Sequence, residues 1–305
     1  MVGEIGSVSG AGGLAATFCF AKGTPVSTSR GVTPIEKIKI GDYLFTGSKV
    51  VGTMQFQKSS SDLYTLHNII VSGTHIVYQN NHPIHVKDHP DAKPYTGPPQ
   101  ELYCLMTSDK QIPIVTHKGL ILFADWEEIT NIEDLKQWHK QVYETLNPLK
   151  QYEHSVETNT LYSESVFSEN TPIRTLHGSI PIKDIRPGEE VLDEYGNITV
   201  VEGVVEVDSL EVHSASSIGN DNYMSSAAWI KEYDEWKQIV ENPVYPKNAN
   251  RWFSLFTKTG TFQILRNNDT LPARDFTDIG PDHIHETYDW VLQSLWNQKQ
   301  KLATK

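Results

Sequence analysis

The chain has 305 residues, 38% of them hydrophobic, and a formal net charge of -12 at pH 7. That length and apolar content allow one large core or two smaller ones without covalent staples. The acidic balance excludes sequence-independent binding to nucleic acid or an anionic membrane, which would be repelled by most of this surface.

Two cysteines, Cys19 and Cys104, are too few for a disulfide framework, so both are expected as reduced thiols. The start carries no basic leader, and no stretch reaches about 18 uninterrupted apolar residues. The expectation is a soluble, cytoplasmic protein with no membrane partner. Residues 1–18 are rich in Gly, Ser and Ala and are expected as a flexible arm. Short β-prone runs punctuated by Gly and Pro follow: Thr24-Pro25-Val26, Gly31 to Ile35 and Ile38 to Phe45. Val50 to Phe56, Leu63 to Val71, Thr74 to Tyr78 and two runs within Glu101 to Ile114 continue the pattern. Then the period changes. Ile132, Leu135, Trp138, Val142 and Leu146 recur at helical spacing, and Pro148 ends the helix.

The second half repeats the first. Thr24-Pro25-Val26, Gly31, Pro34-Ile35, Ile38 and Gly41-Asp42 return as Thr171-Pro172-Ile173, Gly178, Pro181-Ile182, Ile185 and Gly188-Glu189. Ala124-Asp125-Trp126 is echoed by Arg274-Asp275-Phe276, and His283 to Leu302 gives a second helical pattern. Gly and Pro, whose backbone needs are special, keep register, so two copies of one β-rich unit is the simplest account. The copies differ where chemistry would sit. Cys19 falls opposite Val166, His75 opposite Ala228 and Cys104 opposite Ser254.

Cys19-Phe20-Ala21-Lys22-Gly23-Thr24-Pro25-Val26, followed by Pro34-Ile35 and Gly41-Asp42, resembles the first block of Hint domains, the self-processing module of hedgehog proteins and inteins. Ser72-Gly73-Thr74-His75 is similar to the Thr-x-x-His block of that family. Leu102 to Thr107 resembles a later intein block, with Cys104 at its reactive place. The resemblance implies a mainly β, Hint-like fold in two tandem units, each followed by a C-terminal helix. The expected division is an arm at 1–18, a unit with intact motifs at 19–130, a helix and linker at 131–165, and a degenerate second unit with its helix at 166–305.

The resemblance further implies that Cys19 attacks the Phe18 carbonyl, exchanging the Phe18–Cys19 amide for a thioester. His75 would protonate the departing nitrogen, and the Ser72 hydroxyl or local amides would stabilise the oxyanion. Holding thiol and bond together is worth roughly 7–11 kcal/mol. No cofactor is required. The substrate is the chain's own N-terminal segment, and water or a small nucleophile is the acyl acceptor. Splicing is not expected: the only His-Asn pair, His67-Asn68, lies inside the first β unit, the chain ends Leu302-Ala303-Thr304-Lys305, and the later block histidine is replaced near Gln111. No acidic residue aligns for sterol transfer. Lys58-Ser59-Ser60-Ser61 offers none, and Asp62 is a poor match.

The rival account is a catalytically inactive scaffold or interaction protein that keeps the frame without the chemistry. A free cysteine is also often a small buried hydrophobe. His82, His85 and His89 with Asp88 suggest a metal shell, but alternation would place His85 on the face opposite Ile84 and Val86, and no metal is expected.

Overall fold

The computed structural model describes residues 18–126, 132–150, 164–239, 251–267, 269–279 and 283–303. The expected arm, up to residue 17, lies outside them. The described chain is mainly β: one 12-stranded sheet and two six-stranded sheets.

The same local chemistry builds corresponding hairpins in both halves. Strand Pro25–Thr28 pairs with Gly31–Pro34, joining Thr28 to Gly31, and strand Pro172–Thr175 pairs with Gly178–Pro181, joining Thr175 to Gly178. In each turn the threonine hydroxyl donates to the glycine carbonyl, at 2.7 Å from Thr28 and 3.4 Å from Thr175. A second hairpin, Leu63–Leu66 with Ile69–Ser72, turns on His67 (φ 49°) and Asn68 (φ 71°). Its counterpart, Ala215–Gly219 with Asn222–Ser225, turns on Asn220 (φ 51°) and Asp221 (φ 56°). Paired left-handed residues match the right-handed twist of the flanking strands. The run expected from Leu63 to Val71 is therefore two strands, because His67 and Asn68 adopt the turn conformation.

Ile38 to Phe45 is also not a strand. A 3₁₀ turn at Ile35–Lys37 leads into tight turns, and only isolated bridges, Thr28 to Leu44 and Tyr43 to Lys49, remain. Strand Gly119–Ala124, missed in the sequence, pairs along its length with Gln111–Thr116.

The halves join edge to edge. Strand Val50–Ser59 pairs antiparallel with Ile198–Asp208, placing Val205 opposite Met54 and Gly203 opposite Phe56. A Cβ on Gly203 would stand 2.4 Å from Phe56 Cδ1, so only glycine admits that ring. Phe56 in turn packs on Phe256 at 4.8 Å. One apolar cluster runs from Cys19, Phe20 and Leu66 through Phe56 to Trp252 and Phe276, and a second is centred on Phe167, Phe253 and Phe262.

The helices cross over. Helix α1 (Ile132–Leu146) follows the first set of strands, but its Val142 and Tyr143 pack with Trp229, Trp236 and Ile279 of the second. Asn147 fixes that seat: its side-chain NH₂ donates to the Trp236 carbonyl at 2.9 Å, and its amide oxygen accepts the Trp236 N–H at 2.9 Å. Helix α2 (Ile284–Ala303) returns to the first half, where Val291 and Leu295 join Phe18, Ile76 and Ala124. Trp296 stacks on His82 at 5.0 Å, and Lys299 donates to the Asn81 carbonyl at 3.0 Å. The two helices touch through Trp138 and Trp290, stacked at 5.4 Å, and Ser294 Oγ donates to Asp134 at 2.7 Å. The side chains of Ile284 and Tyr288, expected on the apolar face of α2, lie outside the described residues.

Candidate functional site

Cys19 is placed by the two strands that flank its neighbour. Phe20 pairs with Tyr103 on one side and Val71 on the other, so Cys19 enters the sheet beside Cys104 and Ser72. Ser72 grips it twice. The Ser72 amide donates to the Cys19 carbonyl at 2.9 Å, and the Ser72 hydroxyl accepts the Cys19 amide hydrogen at 2.7 Å while facing the same carbonyl at 3.2 Å. The hydroxyl thus bridges the Cys19 amide nitrogen, one end of the Phe18–Cys19 bond, and the Cys19 carbonyl, to which it donates.

Both thiols are fully buried. Burial, reinforced by the neighbouring Cys104, pushes the Cys19 pKa well above the ordinary thiol range, so the resting group is a thiol. Cys104 lies opposite Met54 in the ladder, its Sγ 3.6 Å from the Leu105 carbonyl.

His75 sits in the turn after strand Ile69–Ser72, its amide donating to the Ser72 carbonyl at 3.2 Å. Its ring is enclosed by Phe20 at 4.4 Å, Phe123 at 5.5 Å and Phe18 at 5.8 Å. Nε2 lies 2.8 Å from the Ala124 carbonyl. A carbonyl only accepts, so Nε2 carries the hydrogen and Nδ1 holds a buried lone pair with no hydrogen-bond partner. Burial lowers the His75 pKa to about 4, against the opposing bond to Ala124.

Phe18 has a φ of 63°, although it is a bulky residue in a region that costs of order 1–3 kcal/mol. It is held there by packing: Trp126 meets its ring at 5.8 Å, and Val291 and Leu295 of α2 close the cluster. The fold thus gathers Phe18, Cys19, Ser72, His75 and Cys104. Ala124, Trp126 and α2 complete the enclosure and were missed. Ala124-Asp125-Trp126 was visible in the sequence as a repeated triplet, a signal of position but not of contact.

The second half supplies an internal comparison. Ser225 Oγ accepts the Val166 amide at 3.0 Å, and the Ser225 amide donates to the Val166 carbonyl at 2.8 Å. Asp275 takes the Thr257 amide at 2.9 Å as Asp125 takes that of Thr107 at 2.6 Å. These contacts persist without thiol or imidazole, so they belong to the frame. What the second half lacks is Cys19, His75 and the left-handed residue before the thiol: Ser165 shows no positive φ. At the place of Ala124 it carries Arg274, buried over Trp236 at 5.5 Å.

The three imidazoles read together in the sequence are dispersed. His82 is exposed on Trp296, whereas His85 is buried, with Nδ1 donating to the Thr74 carbonyl at 2.7 Å. The expected alternation fails because the strand ends at His85 and a 3₁₀ turn begins at Val86, so both are buried.

No family model matches the chain, and no curated protein matches it significantly. Among solved structures it is similar to the gp41-1 intein, at 21% identity over 35% of this chain and 98% of that one, with a TM-score of 0.27. The MchDnaB-1 intein matches at 13% identity over 35% and 98%, with a TM-score of 0.23. A bacterial intein-like domain from Clostridium thermocellum matches at 12% identity over 83% of this chain and 96% of that one, with a TM-score of 0.13. Overlaps this weak do not assign a fold, and the chemistry rests on the site's own geometry.

Proposed function

We propose that this chain is a Hint-type self-processing protein that cleaves its own Phe18–Cys19 bond, built as an active unit and a degenerate one in tandem. The observation that carries it is Phe18, locked in a left-handed conformation against a neutral His75, with the thiol on the next residue. The matching place in the second half has none of the three. In the proposed reaction Cys19 sulfur bonds to the Phe18 carbonyl carbon while that carbon's bond to nitrogen breaks. The thiol proton passes through His75 Nδ1 to the departing nitrogen, leaving a thioester and a free amine at Cys19. Water or another small nucleophile then takes the acyl group and restores the thiol.

Burial of both groups means that neither thiolate nor imidazolium is present at rest. Protonating an imidazole with a pKa of about 4 at neutral pH costs about 4 kcal/mol. The proton therefore moves in step with sulfur attack, and the imidazolium, once formed, is a strong acid toward the amine nitrogen. The backbone strain at Phe18 is released when the bond breaks. The complete burial of Cys19 also favours a second reading, a scaffold that has kept the frame without turnover.

Intact mass separates them. A folded tag placed before Met1 should be lost from the wild type on incubation with hydroxylamine, retained in Cys19→Ala and released far more slowly in His75→Ala. A wild type that stays full length and indistinguishable from Cys19→Ala leaves the scaffold reading.

A further inference from the structure

We propose that His67, His89 and Asp91 form a binding site for one zinc-class divalent ion, outside the Cys19 region and independent of self-processing. One donor atom from each lies within 4.8 Å of the other two. A tetrahedral zinc needs donors roughly 3.3 Å apart, so a contraction of about 1–1.5 Å completes the shell.

Two separate segments supply the cluster. His67 leads the left-handed turn between Leu63–Leu66 and Ile69–Ser72, its side chain only 8% exposed and Nε2 3.5 Å from Asp91 Oδ2. His89 and Asp91 follow the 3₁₀ turn Val86–Asp88, and the two imidazoles meet edge to face at 5.6 Å. His117, in the turn before Gly119–Ala124, packs on His67 at 5.7 Å and donates its Nδ1 hydrogen to the His67 carbonyl at 3.0 Å. That bond fixes the His117 ring beside His67 but outside the donor set, so the fourth position falls to water.

Two further contacts reach the same side chains. Lys118 Nζ sits 2.9 Å from Asp91 Oδ2, and the Asp91 amide donates to His89 Nδ1 at 3.1 Å. An ion would compete with Lys118 for Asp91 Oδ2 and clasp the two segments together. The matching turn of the second half, Asn220-Asp221, offers no imidazole.

Thiols also bind zinc, so the test uses the full chain carrying Cys19→Ala and Cys104→Ser. After treatment with EDTA and dialysis, calorimetric titration with zinc chloride should show one equivalent bound in a saturable transition. His67→Asn, which keeps a residue at ease with positive φ, and His89→Gln should each weaken binding at least about tenfold, whereas His82→Asn should not. Zinc, but not magnesium, should raise the melting temperature of the thiol-free chain. Imidazole NMR shifts during the titration should centre on His67 and His89, a readout that needs no further variant. Absence of saturable binding, equal affinity in both variants, or shifts centred elsewhere would overturn the site.

Discussion

Replacing His75 by Gln in a Cys19→Ala background should remove about 2 kcal/mol of the stability lost between about pH 7.5 and pH 5. In the folded chain the imidazole titrates at about 4 because it is buried, whereas in the unfolded chain it returns to about 6.5. Between these values the unfolded chain binds more protons. Stability is therefore complete above about pH 6.5, falls as acid is added toward about pH 4, and levels off below. The two values give a loss of about 2 kcal/mol by pH 5 and about 3 kcal/mol in full. Gln keeps an N–H for the Ala124 carbonyl but has no proton to gain. Urea melts of both chains at about pH 7.5 and pH 5 give the difference, and contributions from His67 and His89 cancel between them. If the two chains lose stability equally at pH 5, to within about 0.5 kcal/mol, His75 is not the buried neutral imidazole described here.

Ser72→Ala and Ser225→Ala should destabilise by similar amounts, about 1–3 kcal/mol each, since each strands a buried backbone N–H, and chemical denaturation will show whether they match. Val166→Cys should leave the Ser165–Val166 bond intact under hydroxylamine, because Ala228 offers no imidazole and Ser165 has no positive φ; intact mass is the readout. Leu295→Ala should cost about 2–5 kcal/mol by opening the cluster over Phe18, and in a Cys104→Ser background it should speed alkylation of Cys19 by iodoacetamide. Unchanged alkylation would remove α2 as the cover of the site.

The proximity of the candidate residues was legible in the sequence because the segments that carry them are short and local: Cys19-Phe20 before a strand, and Ser72 to His75 in one turn. The repeat added a comparison, and matching strand registers, such as Pro25 opposite Pro34 and Pro172 opposite Pro181, follow it. Contacts made over long separations were not legible. Nothing in the periodicity of α2 says that Val291 and Leu295 will cover Phe18, because an apolar stripe specifies burial but not the partner. Likewise His89 was grouped with His82 and His85, whereas the imidazole beside it is His67, carried there by a hairpin turn that the strand pattern concealed.

The central claim is that the Phe18 carbonyl passes to the Cys19 sulfur. Incubating the tagged chain with hydroxylamine and sequencing the released fragment by mass spectrometry tests it most directly. The account predicts a fragment ending in Phe18 with a hydroxamate on its carbonyl, absent from Cys19→Ala. A fragment ending elsewhere, one ending in a plain carboxylate at equal rate with and without hydroxylamine, or no fragment at all would contradict it.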